Sequence, residues 1–172
     1  MAHFFDWFPT ILAMTGTELP ETSLDGVNLL PAIQGEGLPI DSDSEGVEKR
    51  FWQWNRYTPC ITSNAAMRDG DWKLIRPAIK ETMDLSSEEL KWLGVSMYGP
   101  EHFITQGLIS DPEPETLIPA PPPPELYNIA QDPLERNDVA DAEPERVKRM
   151  LAELEDWFEG VEADRKTLDD GF

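Results

Sequence analysis

Cysteine is almost missing from this chain: Cys60 is the single one in 172 residues. No disulfide can form within it, and cysteine usage says nothing about redox compartment. Histidine is as scarce. His3 and His102 stand far apart, too few and too isolated for a histidine-based metal site. Positive charge is also in deficit, with 14 Lys and Arg against 34 Asp and Glu and a formal net charge of −20. Such a field repels phosphate backbones and anionic bilayers, so neither nucleic acid nor an anionic membrane surface is an expected partner. No apolar run approaches the roughly 18–20 residues that a membrane span needs. The start, Met1 to Asp6, has no basic stretch followed by a long apolar one, so it does not read as a signal peptide. Internal repeats are absent as well.

What is present divides into short elements. Phe4, Phe5, Trp7, Phe8, Ile11, Leu12 and Met14 recur at spacings of three and four, which predicts a helix with a buried apolar face. Asp6 is expected to cap it, Pro9 to sit in its first turn and Gly16 to stop it. Leu24-Asp25-Gly26-Val27 reads as a tight turn, and Leu29 to Ile33 as a short helix ending at Gly35. Residues 35–49 read as an exposed loop. Within it Asp41, Asp43 and Glu45 alternate but lack the later glycine and glutamate of an EF-hand, so a solvated loop is expected there.

Phe51 to Trp54 alternates apolar with polar residues, as a strand does. Asp69-Gly70 lies between Ala65–Arg68 and Trp72–Ile75, a strong hairpin signal. Trp72 and Leu74 are expected on one face of the sheet and Lys73 on the other. Leu126 to Ile129 adds a further strand, with Leu126 buried and the Tyr127 hydroxyl toward water. Ser86-Ser87-Glu88-Glu89 has capping-box character and predicts a helix through Leu93, stopped by Gly94. Residues 99–124 carry Pro100, Pro112, Pro114, Pro119 and Pro121 to Pro124, which excludes regular helix or a central strand. From Pro144 onward, Val147, Met150, Leu151, Leu154, Trp157, Phe158 and Val161 form one apolar stripe on a helix whose other face is charged. Residues 164–172 read as a frayed tail. The sum is an α+β fold: a small antiparallel sheet with a packed C-terminal amphipathic helix.

Four segments in order resemble the C-terminal subdomain of sulfatases, in the alkaline phosphatase superfamily. They are Phe5-Asp6-Trp7-Phe8-Pro9-Thr10-Ile11-Leu12 with Thr15-Gly16, and Leu24-Asp25-Gly26-Val27-Asn28-Leu29-Leu30-Pro31 with Gln34-Gly35. The third is Met67-Arg68-Asp69-Gly70-Asp71-Trp72-Lys73-Leu74-Ile75. The last is Glu125-Leu126-Tyr127-Asn128-Ile129 with Asp132-Pro133-Leu134-Glu135-Arg136-Asn137. Each alone is a common turn or cap; their order, followed by the amphipathic helix, is specific. The resemblance implies that residues 1–35 join a catalytic α/β domain that this chain lacks, and that residues 50–163 are the small sheet subdomain with a Pro-rich insertion at 99–124. It implies a sulfuric ester hydrolase, with sulfated carbohydrates as the expected substrates. A periplasmic or secreted parent protein is what it suggests.

Cleaving a sulfate ester requires a nucleophile, a cation on the sulfate oxygens and an acid for the leaving group. By resemblance, the full-length parent would use a formylglycine made from a Cys/Ser-x-Pro/Ala-x-Arg motif, and Ca²⁺ held by carboxylates and an amide. Cys60-Ile61-Thr62-Ser63-Asn64 echoes that motif. It departs where the motif is defined, with Thr62 in place of Pro or Ala and Asn64 in place of Arg, and it runs straight into the hairpin. Cys60 is therefore read as an ordinary, partly buried thiol. No catalytic residue, metal ligand or cofactor is assigned to this chain, and the chain alone is expected to be inactive. The expected partners are the catalytic domain and a sulfated saccharide. Trp54, Asn55 and Arg56 combine an aromatic face, an amide and a guanidinium, a set suited to a sugar ring and its anionic group. His102, in the long irregular stretch, is the fourth candidate for substrate contact. Two other functions stay open: a phosphodiesterase or phosphonate hydrolase of the same superfamily, and a non-catalytic carbohydrate-binding or interaction module.

Overall fold

The hairpin expected around Asp69-Gly70 organises the sheet. In the computed structural model, which describes residues 2–21, 24–37, 49–56, 59–98, 105, 107 and 115–169 (main chain alone at 94–98, 168 and 169), β2 and β3 pair antiparallel. β2 is Ala65–Asp69 and β3 is Trp72–Arg76, with Asp69 opposite Trp72. The two-residue loop is thus Gly70-Asp71, one position later than the sequence suggested. Gly70 takes φ +55° there, a conformation that costs a glycine little.

The chain divides into two compact units, Met1–Arg50 and Phe51–Phe172. The sheet has strand order β1-β2-β3-β4, where β1 is Lys49–Gln53, beginning at the end of the first unit, and β4 is Glu125–Asn128. β1 ends before Trp54, which the sequence reading had placed inside the strand. Met67, Leu74 and Leu126 lie side by side across β2, β3 and β4. All three are fully buried, and the last helix, α5 (Pro144–Asp169), sets Met150 and Leu154 against them. Burying side chains of this size contributes about 1.5–3 kcal/mol each. The same sheet face holds the helix at its rim. Arg149 pairs with Asp69 at 2.8 Å, Arg76 pairs with Glu155, and the Arg146 guanidinium lies 4.1 Å from the Trp72 ring centre. Phe51 stacks on Trp157 at 5.3 Å with an interplanar angle of 9°.

On the other sheet face Lys73 donates to both carboxylate oxygens of Glu135, at 2.8 and 2.7 Å. Tyr127 departs from expectation here. It is buried as a residue, and its hydroxyl donates to Glu125 Oε2 at 2.9 Å. The two side chains share a sheet face because they are two residues apart on one strand.

The helices also differ from the sequence reading at their ends. α4 (Ser87–Tyr98) runs through Gly94, which had been expected to stop it. An interior glycine costs a helix only about 1 kcal/mol. The start of α4 is well held: Ser86 N–H donates to Glu89 Oε2 at 2.7 Å, and Glu89 N–H donates to Ser86 Oγ at 3.2 Å. α5 continues to Asp169, past the point where fraying had been expected. Arg165 bridges to Glu162 at 2.9 Å and Thr167 Oγ1 donates to Asp164 O at 2.7 Å, which supports those turns. A short helix not foreseen in the sequence, α3, spans Lys80–Met83. Residues 115–124 form neither helix nor strand.

In the first unit α1 (Trp7–Thr15) follows a 3-10 turn at Phe4–Asp6 and ends at Gly16 with φ +68°. Its apolar face is not covered by the described residues of this chain. The buried residues are Asp6, Pro9 and Thr10, while Phe4, Trp7, Phe8, Ile11 and Met14 are exposed. Asp6 does not cap α1 through its side chain. Its carboxylate instead accepts Val27 N–H at 2.9 Å and His3 N–H at 2.7 Å. Thr10 Oγ1 accepts Leu29 N–H at 2.9 Å and donates to Asp6 O at 2.6 Å. The incoming main chain carries unpaired amides, and Asp6 and Thr10 satisfy them. Gly26 permits that approach: a Cβ on it would lie 2.3 Å from Phe5 O. Its role is therefore close packing, not the tight turn alone. α2 (Leu30–Ile33) is short, as expected.

Candidate functional site

Three of the four candidate contact residues lie together on the turn that leaves β1. Trp54 is exposed, as is Arg56, and the Arg56 guanidinium carbon sits 5.5 Å from the Trp54 ring centre. A guanidinium over an indole is attracted by the ring's negative face, and its own hydrogen-bonding edge stays available. His102, the fourth candidate, lies outside the described residues.

The main chain of this turn is pinned at several points. Trp54 N–H donates to Asn64 O at 3.3 Å, and Asn64 Nδ2 donates back to Trp54 O at 2.8 Å. Arg56 N–H donates to Thr82 O at 3.2 Å. The Asn55 side chain turns inward: its Oδ1 accepts Cys60 N–H at 2.8 Å and also a hydrogen bond from Gln53 Nε2. Because the Cys60 amide can only donate, the Asn55 oxygen must face it, which fixes the amide orientation. Asn55 Nδ2 is then buried without an acceptor among the described residues.

Behind the turn lies a buried hydroxyl pair. Ser63 Oγ and Thr82 Oγ1 are 2.6 Å apart, Ile79 N–H donates to Ser63 Oγ at 2.7 Å, and Thr82 Oγ1 donates to Ile79 O at 2.9 Å. With the Thr82 proton committed to Ile79, Ser63 is the donor between the two hydroxyls. This pair anchors α3 to the loop before β2. It also brings charge near the turn. Lys80 pairs with Asp84 at 2.6 Å, and the Asp84 carboxyl is held below its ordinary range chiefly by Lys80, with Arg56 contributing.

Cys60 is half-buried, with Sγ 3.1 Å from Thr62 Oγ1. Asn64, which stands where the nucleophile motif has Arg, spends its side chain on Trp54 O. Among the described residues no three His, Cys, Asp or Glu side chains gather as a metal ion would need, so the chain as described does not fit a Ca²⁺ site. The sequence reading missed Asn64, Thr82 and Asp84 as neighbours of the turn. Ser63-Asn64 was a legible signal, since Asn tolerates the left-handed conformation, and Asn64 has φ +48°. Thr82 reaches the turn only through tertiary packing, as does Asp84, whose carboxylate feels Arg56. An open groove of about 590 Å³ lies elsewhere, between Pro123, Pro124 and the Val147–Leu151 side of α5, and it contains none of the candidate residues.

No family model matches the chain. It is 25% identical over 158 residues to arylsulfatase A of Bos taurus, covering 88% of this chain and 24% of that protein. The crystal structure of Ps i-CgsB has a similar fold, with a TM-score of 0.50 and 22% identity over 88% of this chain and 23% of its own. The same protein in complex with k-i-k-neocarrahexaose matches with the same TM-score, 0.50, and the same coverage. The chain spans about a quarter of the length of the relatives it matches. The four ordered motifs and these likenesses agree in what the chain resembles: it is similar to the C-terminal portion of arylsulfatase-like sulfatases, and its antiparallel sheet under a C-terminal helix shares the fold of the solved structures.

Proposed function

We propose that this chain serves a sulfuric ester hydrolase of sulfated carbohydrates, and that its own part is to contact the saccharide while the ester is cleaved by residues outside it. The observation that carries this is the likeness to arylsulfatase A over 88% of the chain and only 24% of that enzyme. In such enzymes Ca²⁺ and formylglycine supply the electrophilic clamp and the nucleophile. Among the described residues neither finds a fitting set. Cys60 is followed by Thr62 and Asn64 where the modification motif needs Pro or Ala and Arg, and its thiol lies against Thr62.

The recognition role rests on Trp54, Asn55 and Arg56. An exposed indole offers an apolar face to a sugar ring. A guanidinium laid over it offers paired N–H donors to a sulfate or carboxylate. Ps i-CgsB, of similar fold, takes k-i-k-neocarrahexaose, which makes that saccharide a suitable probe.

Two measurements test the reading. The 172-residue chain with Ca²⁺ is expected to release no 4-nitrophenol from 4-nitrophenyl sulfate above a Cys60→Ala control. Ca²⁺-dependent turnover lost in Cys60→Ala would overturn it. Isothermal titration with k-i-k-neocarrahexaose is expected to show binding that weakens in Trp54→Ala and Arg56→Ala and with the desulfated saccharide. Equal affinity for the sulfated and desulfated forms would favour a general carbohydrate-binding module instead.

A further inference from the structure

Asn64 combines two features that are uncommon in one residue. It is one of two non-glycine residues with positive φ among those described, at +48°, the other being Glu135. It also grips Trp54 from both sides of its main chain: Asn64 O accepts Trp54 N–H at 3.3 Å, and Asn64 Nδ2 donates to Trp54 O at 2.8 Å. A single strand-like hydrogen bond would let the residue after a strand end rock about it. Two bonds, one to the N–H and one to the C=O of Trp54, pin the peptide units on both sides of its Cα and remove that freedom. The left-handed backbone is what lets one residue present its carbonyl and its amide to the same neighbour.

The clamp has a rigid base. The preceding residue, Ser63, is fully buried and engages Thr82 Oγ1 and Ile79 N–H, while Thr82 O accepts Arg56 N–H. Trp54 and Arg56 are therefore held from one loop–helix unit, and the indole is set under the guanidinium at 5.5 Å. We propose that Asn64 is the positioning residue of the saccharide-contact turn: it orients Trp54 for stacking without touching the ligand. This rests on the reading of Trp54–Arg56 as a substrate contact and adds how that contact is kept preorganised, so that less rotational freedom is lost on binding.

The test uses the 172-residue chain, k-i-k-neocarrahexaose as probe, and Asn64→Gly. Glycine keeps the left-handed backbone and the Asn64 carbonyl acceptor and removes only the Nδ2 donor. Affinity is expected to fall about threefold to tenfold, the size of one net hydrogen bond, with the melting temperature nearly unchanged. NMR relaxation of the Trp54 indole N–H should show a more mobile ring. In the Trp54→Ala background the same substitution should cost no further affinity, which a merely structural residue would not satisfy. An indole as ordered in Asn64→Gly as in the wild type, an unchanged affinity, or an equal loss in both backgrounds overturns the inference. Wild type and Trp54→Ala binding alike would instead sink the turn as a saccharide contact, and the inference with it; that comparison is separate from the Asn64 one.

Discussion

The Asp6 carboxylate and the Arg50 guanidinium, both buried, lie 3.4 Å apart in the first unit. The same carboxylate accepts the amides of His3 and Val27. Asp6→Ala would take the paired carboxylate from the buried Arg50, which keeps its bond to Lys49 O, and the acceptor from two amides. The expected loss is about 3–5 kcal/mol, as when one partner of a buried pair is removed. Arg50→Met should cost less, because Asp6 keeps its two amide donors. Urea denaturation of both variants checks the order, and equal or reversed losses would show that the amides matter less than the ion pair.

Leu154 is fully buried against Met67, Leu74 and Leu126. Leu154→Ala should destabilise the second unit by about 2–5 kcal/mol through lost burial and the cavity left behind. Val161, on the same stripe but exposed, should tolerate alanine within about 0.5 kcal/mol. Thermal melts of the two variants decide it: similar midpoints would place the core elsewhere.

Tyr127 carries a pH signature. Burial, then its hydrogen bond to Glu125, then the carboxylates of Glu125, Asp138 and Glu135 push its phenol up from 10 to about 12. A raised folded-state value favours the neutral phenol in the native protein. Its contribution to stability is thus full below pH 10, declines as the unfolded phenol ionises, and is gone above about 12. Tyrosinate absorbance should show one phenol titrating late, and Tyr127→Phe should remove that step. A late step that persists in Tyr127→Phe would assign it to Tyr57 or Tyr98.

Phe4, Trp7, Phe8, Ile11 and Met14 stand exposed together on one helix and its leading turn. Apolar patches above a few hundred Å² are unusual on soluble monomers and promote association. The 172-residue chain should bind a hydrophobic dye and self-associate. Its charge of −20 opposes this at low salt, and added salt should screen the repulsion and increase the associated fraction. Light scattering across a salt series is the measurement. A dye-free monomer at low and high salt would show that the patch is too small to matter.

Local chemistry determined much of this protein from its sequence. Gly70 permits a left-handed loop residue, Ser86 and Glu89 satisfy each other's amides, and the spacing of Met150 and Leu154 puts both on one helix face. These are contacts between near neighbours, where residue type alone decides the geometry. Trp54 and Arg56 were legible as a candidate pair for the same reason, being two residues apart. The tertiary structure decided what periodicity cannot express. A spacing of three and four says that a helix has an apolar face, but not whether that face is buried within this chain. In α1 the amides of Val27 and Leu29 needed acceptors, so the polar Asp6 and Thr10 took the inside and the aromatics were left outside. Tyr127 was likewise assigned to water by its hydroxyl, yet Glu125 two residues away on the same strand satisfies that hydroxyl under burial. Asn64 and Thr82 hold the candidate site from 10 and 26 positions beyond the residues they grip, because a strand pairing and a buried hydroxyl pair, not sequence proximity, bring them there.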